Sequence, residues 1–397
     1  MDPTDTEELP HVTRPMHRTA AALTTLACVT GLAACSSDGE PAGEQALKQS
    51  VTADLLPPIV QPGPRPAAAD AAKAVVSARV TPAEEGREVT LQSRSSGGWE
   101  SARTAETNPL GTADFTVDQQ PDTTYRVVVT GAGDLPDVTS EPVDDVWQYA
   151  FSDEFDGTAL DEAQWFYRGA EYNVEGYRAC SKGSPDAAEV SAGVLRLLVA
   201  RDPARTEQCT AKTADGEVLG QFDYRLNGHV ASKALIHYGV TAARIRFPRP
   251  EGQHGSFWFQ SPIEGGKPNP TDSGSEIDVV EYFGDRDDDR LASFVYYPTE
   301  DGSVKEGDWI EKASRFLAGK DDDWWKAFHV FTLEWTPEEY VIRIDGQEAW
   351  RTDQGVSQQA EFIVLSLLSS DYELPKLKGE DNLPQGMAVD WVRAWGK

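Results

Sequence analysis

Basic residues are scarce in this chain. Over 397 residues, 36 lysines and arginines stand against 66 aspartates and glutamates, a formal net charge of −30. A field of that sign repels a phosphate backbone, and no counterion release offsets it, so nucleic acid is excluded as a partner. Sulfated and uronic polysaccharides are disfavoured for the same reason unless their groove is locally basic, whereas a neutral glycan is unaffected. Cysteine is also sparse: there are four, with no C-x-x-C pair or nearby histidine cluster, which argues against a zinc site. Long apolar runs are missing as well. The apolar stretch within residues 16–35 is too short to span a bilayer, and its basic start and small residues before a cysteine make it an export signal. What the chain has in quantity is glycine (33), proline (25), tryptophan (11) and tyrosine (12), a composition of turns and aromatic surfaces rather than of helical bundles.

Residues 1–35 therefore read as a leader with an export signal. Residues 1–15 are polar and acidic and do not suit such a signal, so Met16 is an alternative start. The end of the signal, Leu32-Ala33-Ala34-Cys35, resembles a bacterial lipobox, in which Cys35 is lipidated after cleavage and tethers the protein at the cell surface. An ordinary signal peptide cut nearby is the alternative, and its product is secreted. Cys28 lies within the removed segment, and with Cys35 assigned to lipid an even pair remains, Cys180 and Cys209. In an oxidising compartment these form a disulfide worth roughly 3 kcal/mol in the chain-entropy model. Residues 36–72, rich in Ala, Pro, Gly and acid, read as a disordered tether. Residues 73–145 alternate in strand fashion between turn signals and read as a small β-sandwich, immunoglobulin- or fibronectin-like, with a spacer or weak binding role. Trp99 in that stretch is a core residue or a sugar platform. Residues 147–397 continue as strands and turns, richer in aromatics, and suit a large antiparallel sandwich. Asp345-Gly346 is a hairpin signal that pairs Tyr340–Ile344 with Glu348–Arg351.

Within that last region Ser275-Glu276-Ile277-Asp278-Val279-Val280-Glu281-Tyr282 places three carboxylates in a β-forming apolar strand. Strict alternation puts Glu276 and Asp278 on one face and Glu281 on the other. One extra residue, a β-bulge at Val279 or Val280, returns Glu281 to the side of Glu276. Two carboxyl groups flanking one bond are what cleavage of a glycosidic bond requires, and three acids on one face retain a proton at neutral pH.

The strand does not stand alone. Phe151-Ser152-Asp153-Glu154-Phe155-Asp156-Gly157, Ala243-Arg244-Ile245-Arg246-Phe247-Pro248, Phe257-Trp258, His329-Val330-Phe331 and Val389-Asp390-Trp391-Val392-Arg393 surround it in order. With them, residues from about 150 to 396 resemble family 16 glycoside hydrolases, in particular the laminarinase (endo-β-1,3-glucanase) branch. The resemblance implies an all-β fold, a concanavalin-like β-jelly-roll sandwich, here preceded by the small immunoglobulin-like β-sandwich. It implies an endo-acting, retaining double displacement on β-linked polysaccharide, with Glu276 as nucleophile, Glu281 as general acid and base, and Asp278 orienting and tuning them. It implies a groove position for Trp258, for which a core aromatic is the alternative, and His254 and Tyr282 are expected beside it as further substrate-binding residues. A surface-loop histidine is the alternative for His254, and Trp165, Trp335 and Trp391 are expected in the core. No cofactor is implied beyond a possible structural calcium at Asp390, for which a structural aspartate is the alternative. The chain departs from laminarinases in having His254-Gly255 where they commonly place a tryptophan, and Tyr296-Tyr297 where many carry a histidine. The expected partner is a neutral β-glucan, the expected state a monomer, and membrane contact is expected only through the anchor at Cys35. A transglycosylase of the same fold and a non-catalytic glycan-binding protein are the competing functions.

Overall fold

The computed structural model describes residues 48–118, 122–133, 135–285, 290–377, 379 and 382–397. The export signal, Met16 and Cys35 lie outside the described residues.

The tether expected over 36–72 is corrected by strand β1 (Ser50–Val60). Its prolines, Pro57 and Pro58, disguise it in sequence, and the ladder to the next strand breaks its register between Leu56 and Val60, where those residues withhold their N–H groups. The strand forms because it is apolar on both faces. Leu55 enters the core of the small sandwich, while Leu56 and Ile59 face the larger one. The small sandwich is completed by β2 (Lys73–Thr81), β3 (Glu88–Arg94), β4 (Glu100–Glu106), β5 (Thr112–Val117), β6 (Thr124–Val129) and β7 (Val138–Thr139). Sheet β1-β2-β5 packs on sheet β4-β3-β6-β7 around Val76, Val80, Leu91, Phe115 and Val127.

The second unit is an all-β jelly roll. It begins with β8 (Gln148–Asp153), β9 (Trp165–Tyr167), β10 (Ser181–Gly183), β11 (Ala188–Val190), β12 (Leu195–Arg201) and the hairpin β13 (Gln208–Lys212)–β14 (Val218–Asp223). It continues with β15 (Arg225–Ile236), β16 (Gly239–Arg246), β17 (His254–Gln260), β18 (Glu276–Tyr282), β19 (Leu291–Thr299) and β20 (Gly302–Trp309). The remaining strands are β21 (His329–Trp335), β22 (Tyr340–Ile344), β23 (Gln347–Thr352), β24 (Glu361–Leu368) and β25 (Gln385–Gly396). One layer runs β20-β19-β18-β17-β24-β15 and the other β12-β25-β16-β21-β22-β23. Strand β15 belongs to both: Arg225–Asn227 pairs with β12, and from Gly228 onward the strand pairs with β24. Between the layers Phe257, Phe259, Ile277, Val389, Phe331 and Trp335 form the core. The hairpin at Asp345-Gly346 forms as expected, with φ of 46° and 81° at its two turn residues.

The small sandwich is seated on the outer face of the β25-β16-β21 layer. Leu56, Ile59 and Val75 share an apolar cluster with Val240, Val330, Trp391 and Trp395. Trp165 and Trp335 lie in the jelly-roll core as expected, whereas Trp391 is buried under the small sandwich and donates from Nε1 to Gln61 Oε1 at 2.7 Å. Arg343, itself buried, crosses the junction, donating to Asp114 at 2.7 Å and Ser77 at 2.9 Å while also pairing with Glu334. Approach is close enough that a Cβ on Gly346 would lie 2.5 Å from Val60, a second reason for glycine beside its positive φ. Both units are thereby parts of one packed body, and the other layer keeps its outer face open.

Candidate active site

That open face carries the acidic strand. Strand β18 pairs with β17 through Phe257↔Val280 and Trp258↔Asp278, and with β19 through Asp278↔Phe294 and Glu281↔Ala292, so Val279 is the extra residue. Its consequence is the one expected: Ile277, Val279, Val280 and Tyr282 all enter the core, and Glu276, Asp278 and Glu281 all line the groove. Glu276 and Glu281 are half-exposed while Asp278 between them is 5% exposed.

Tyr282 is corrected. The bulge that turns Glu281 outward turns the next residue inward, and Tyr282 stacks on Phe247 at 4.8 Å in the core, 1% exposed, where no sugar reaches it. Trp258 stands across from Asp278, with Phe257 and Phe259 on the opposite face. It is half-buried, donates from Nε1 to Ser366 Oγ at 3.2 Å, and is covered by the Arg168 guanidinium 5.4 Å from its ring and by His229 at 6.1 Å. His254 is no surface-loop residue. It opens β17, is 5% exposed, lines the groove, and its Nδ1 lies 2.8 Å from Glu373 Oε2.

The groove encloses about 1020 Å³. Its walls are aromatic, with Phe283, Phe294, Tyr296, Tyr297, Trp309 and Tyr372 contributing faces. Burial pushes the Tyr296 phenol far up, and the Asp278, Glu281 and Glu276 carboxylates push it further, so it remains a neutral hydroxyl beside the acids. Burial lowers the Arg168 guanidinium to about 10, partly offset by Glu276, which leaves it cationic at neutral pH. Arg168 also donates to Gln260, the residue that pairs with Glu276 across the ladder. Burial holds His229 well below the usual histidine range, and Arg168 and Arg178 lower it further, so it stays neutral.

Arg168 and Glu373 went unnoticed as site residues in the sequence, and Tyr296 stood out only as a departure from the resemblance. Arg168 follows the short strand β9, and Glu373 sits in a loop beyond β24. Neither carries a local motif. Tyr296 is paired with Glu276 in the ladder, and its signal was the register of β19, legible only as the position where relatives carry histidine.

The disulfide forms between Cys180 and Cys209, with a Cα–Cα distance of 5.4 Å. It buttresses one groove wall. The backbone N–H groups of Ala179 and Cys180 donate to Asp371, each at 3.1 Å, and Ser181 Oγ donates to the Ser369 carbonyl at 2.6 Å. Tyr372 and Glu373 follow directly.

Calcium does not fit at Asp390. The Arg244 guanidinium donates to Asp390 and to the carbonyls of Gln61, Gly63 and Arg65, so it takes the oxygens that a hard cation would use. Among the described residues no group of three His, Cys, Asp or Glu side chains is placed to hold a metal ion.

An antiparallel jelly roll with clustered acids on its open, aromatic-walled face defines the class of carbohydrate-active β-sandwiches. Residues 201–393 match the family model described as "Glycosyl hydrolases family 16", and the chain carries a glycoside hydrolase family 16 domain. That domain makes it a glycoside hydrolase. Similar solved structures include the laminarinase catalytic domain of Thermotoga maritima MSB8, 21% identical over 64% of this chain and 99% of that one, with a TM-score of 0.49. The catalytic domain of the endo-1,3-beta-glucanase (laminarinase) of Thermotoga petrophila RKU-1 is 23% identical, with coverages of 64% and 99% and a TM-score of 0.49. The endo-beta-1,3-glucanase of Pyrococcus furiosus is 18% identical, with coverages of 63% and 94% and a TM-score of 0.48. Among curated proteins none matches.

Proposed function

We propose that this chain is a secreted, retaining endo-glycosidase that cleaves neutral β-1,3-glucan by double displacement. The observation that carries the reading is the bulge at Val279, which sets Glu276, Asp278 and Glu281 together on the floor of one groove. Glu276 attacks the anomeric carbon while Glu281 protonates the leaving glycosidic oxygen. Water, deprotonated by Glu281, then releases the sugar from Glu276 with net retention. Asp278, the most buried of the three, lies between them and holds both in register. Aromatic walls suit the C–H faces of glucose rings. Five carboxylates (Glu264, Glu276, Asp278, Glu281 and Asp308) line the groove against three lysines (Lys267, Lys305 and Lys376), which supports a neutral rather than an anionic chain as substrate. Export rests on the leader, with lipidation at Cys35 as its membrane anchor, and the disulfide supports an oxidising compartment.

The test is release of reducing ends from laminarin. Glu276→Ala abolishes it, and Glu281→Gln lowers it on the order of 10²–10⁴-fold while leaving more activity on an aryl β-glucoside that needs no acid. Early products carry the β configuration by proton NMR. Full activity in either variant, or inverted products, overturns the reading.

A further inference from the structure

His254 and Glu373 are joined across 119 residues of sequence by a contact of 2.8 Å, and both are withdrawn from water, with side chains 7% and 2% exposed. Nothing in the chemistry outlined above uses either of them. Yet the pair borders the reacting groups. In the β17–β18 ladder Ser256 lies opposite Glu281 and Gly255 opposite Tyr282, which sets His254 diagonal to Glu281 on the groove face. Phe283, two residues beyond Glu281, stacks on the imidazole at 5.5 Å and fixes the plane of the ring. Glu373 is fixed in turn: Oε2 accepts the Ser370 N–H at 2.9 Å, on the wall segment that the Cys180–Cys209 disulfide supports through Asp371.

We infer that His254 and Glu373 form a positioning dyad for Glu281, in which Glu373 holds the imidazole as a cation and that cation stabilises the carboxylate form of Glu281. The inference rests on the reading of Glu281 as the general acid and base. Glu373 is buried, and a buried carboxylate is costly unless it is paired, as this one is with the imidazole of His254. The groups that face the ring are Glu373 from the wall, Glu281 from β18, and Arg178 and His229. Burial and Arg178 work against the charge on the ring; Glu373 and Glu281 outweigh them, and the imidazole lies above the usual histidine range. His229 is neutral and adds no charge. A cation beside Glu281 favours its ionised form, so the acid loses its proton at lower pH than it otherwise would. The dyad therefore sets the alkaline limb of the pH–rate profile.

The experiment uses the full chain. In 13C-carboxylate NMR, with Glu281 assigned by Glu281→Gln, His254→Gln raises the Glu281 titration by about one pH unit. The alkaline limb of kcat/KM on laminarin moves up by the same amount. In 15N NMR the His254 ring remains an imidazolium at pH 7 in the native chain and becomes neutral in Glu373→Gln. Glu373→Asp restores the charge. An unmoved Glu281 titration in His254→Gln, or a neutral ring in the native chain, overturns the inference. Should His254→Gln fail to fold, Glu373→Gln carries both readouts. The NMR titrations need no substrate, so absence of laminarin hydrolysis refutes the proposed function alone, while an unmoved titration in an active enzyme refutes the dyad alone.

Discussion

Glu361 sits beneath the groove floor, fully buried, and accepts the Ser275 N–H at 2.9 Å just before the acidic strand begins. Burial raises its carboxyl to about 8, hydrogen bonds from Ser357 and Ser275 pull it back, and Glu276 adds to the rise. A carboxyl that holds its proton more tightly folded than unfolded stabilises the native state at low pH. That contribution is present below its ordinary value of 4.5 and is lost as pH rises toward about 8. Glu361→Gln keeps an oxygen for Ser275 and never ionises. Thermal unfolding followed by circular dichroism is expected to show a shallower fall in Tm from about pH 5 to about pH 8 than in the native chain, and a higher Tm at the upper end. An equal fall in both proteins refutes the assignment. At this scale the three acids and their alternation were legible in sequence, because a two-residue period needs only neighbours to be read. Tyr282 was misplaced because its face depends on where the bulge falls, and that is decided by β17 and β19.

Strand β18 yields a prediction about the element itself. Glu276 and Glu281 pair with Tyr296 and Ala292, which are four residues apart on β19, although the two acids are five apart in sequence. Deleting Val279 leaves Glu-Ile-Asp-Val-Glu, a regular alternation that spans the same four ladder steps with all three acids on the groove face. Hydrolysis by that variant is expected to stay within about tenfold of native. Inserting an alanine between Val280 and Glu281 turns the Glu281 carboxylate into the core, which costs several kcal/mol and removes the acid. Comparable activity in the two variants contradicts the register. The disulfide belongs to the same scale. Replacing Cys180 and Cys209 by serine is expected to lower stability by roughly 3 kcal/mol in the chain-entropy model. It also raises KM more than it lowers kcat, because the wall carrying Tyr372 loses its support. A change in kcat alone contradicts the coupling of staple to wall.

The whole molecule is held as one body by a junction that looked like a tether. Val240, Val330, Trp391 and Trp395 lie under Leu56, Ile59 and Val75, and Arg343 crosses to Asp114 and Ser77. Calorimetry is expected to record one cooperative transition for both units. A truncation that begins at Trp147 exposes that apolar patch and leaves Arg343 with Glu334 but without Asp114, so it is expected to aggregate or to melt well below the full chain. Two separate transitions, or a truncated jelly roll of unchanged Tm, refute the shared core. The small sandwich lies on the face opposite the groove.

By itself the sequence determined the all-β class, most strand positions, the three acids, the bulge and the cysteine pair. Each of these is written in local alternation, turn residues or parity, which act over a few residues. Tertiary structure decided what depends on distant partners. Ser50–Val60 is a strand because two different cores claim its two faces, Asp390 faces a guanidinium rather than a metal, Trp391 lies under a second unit, and His254 meets Glu373 across the groove. No period in the chain encodes such meetings, because the contacts form only once the layers close.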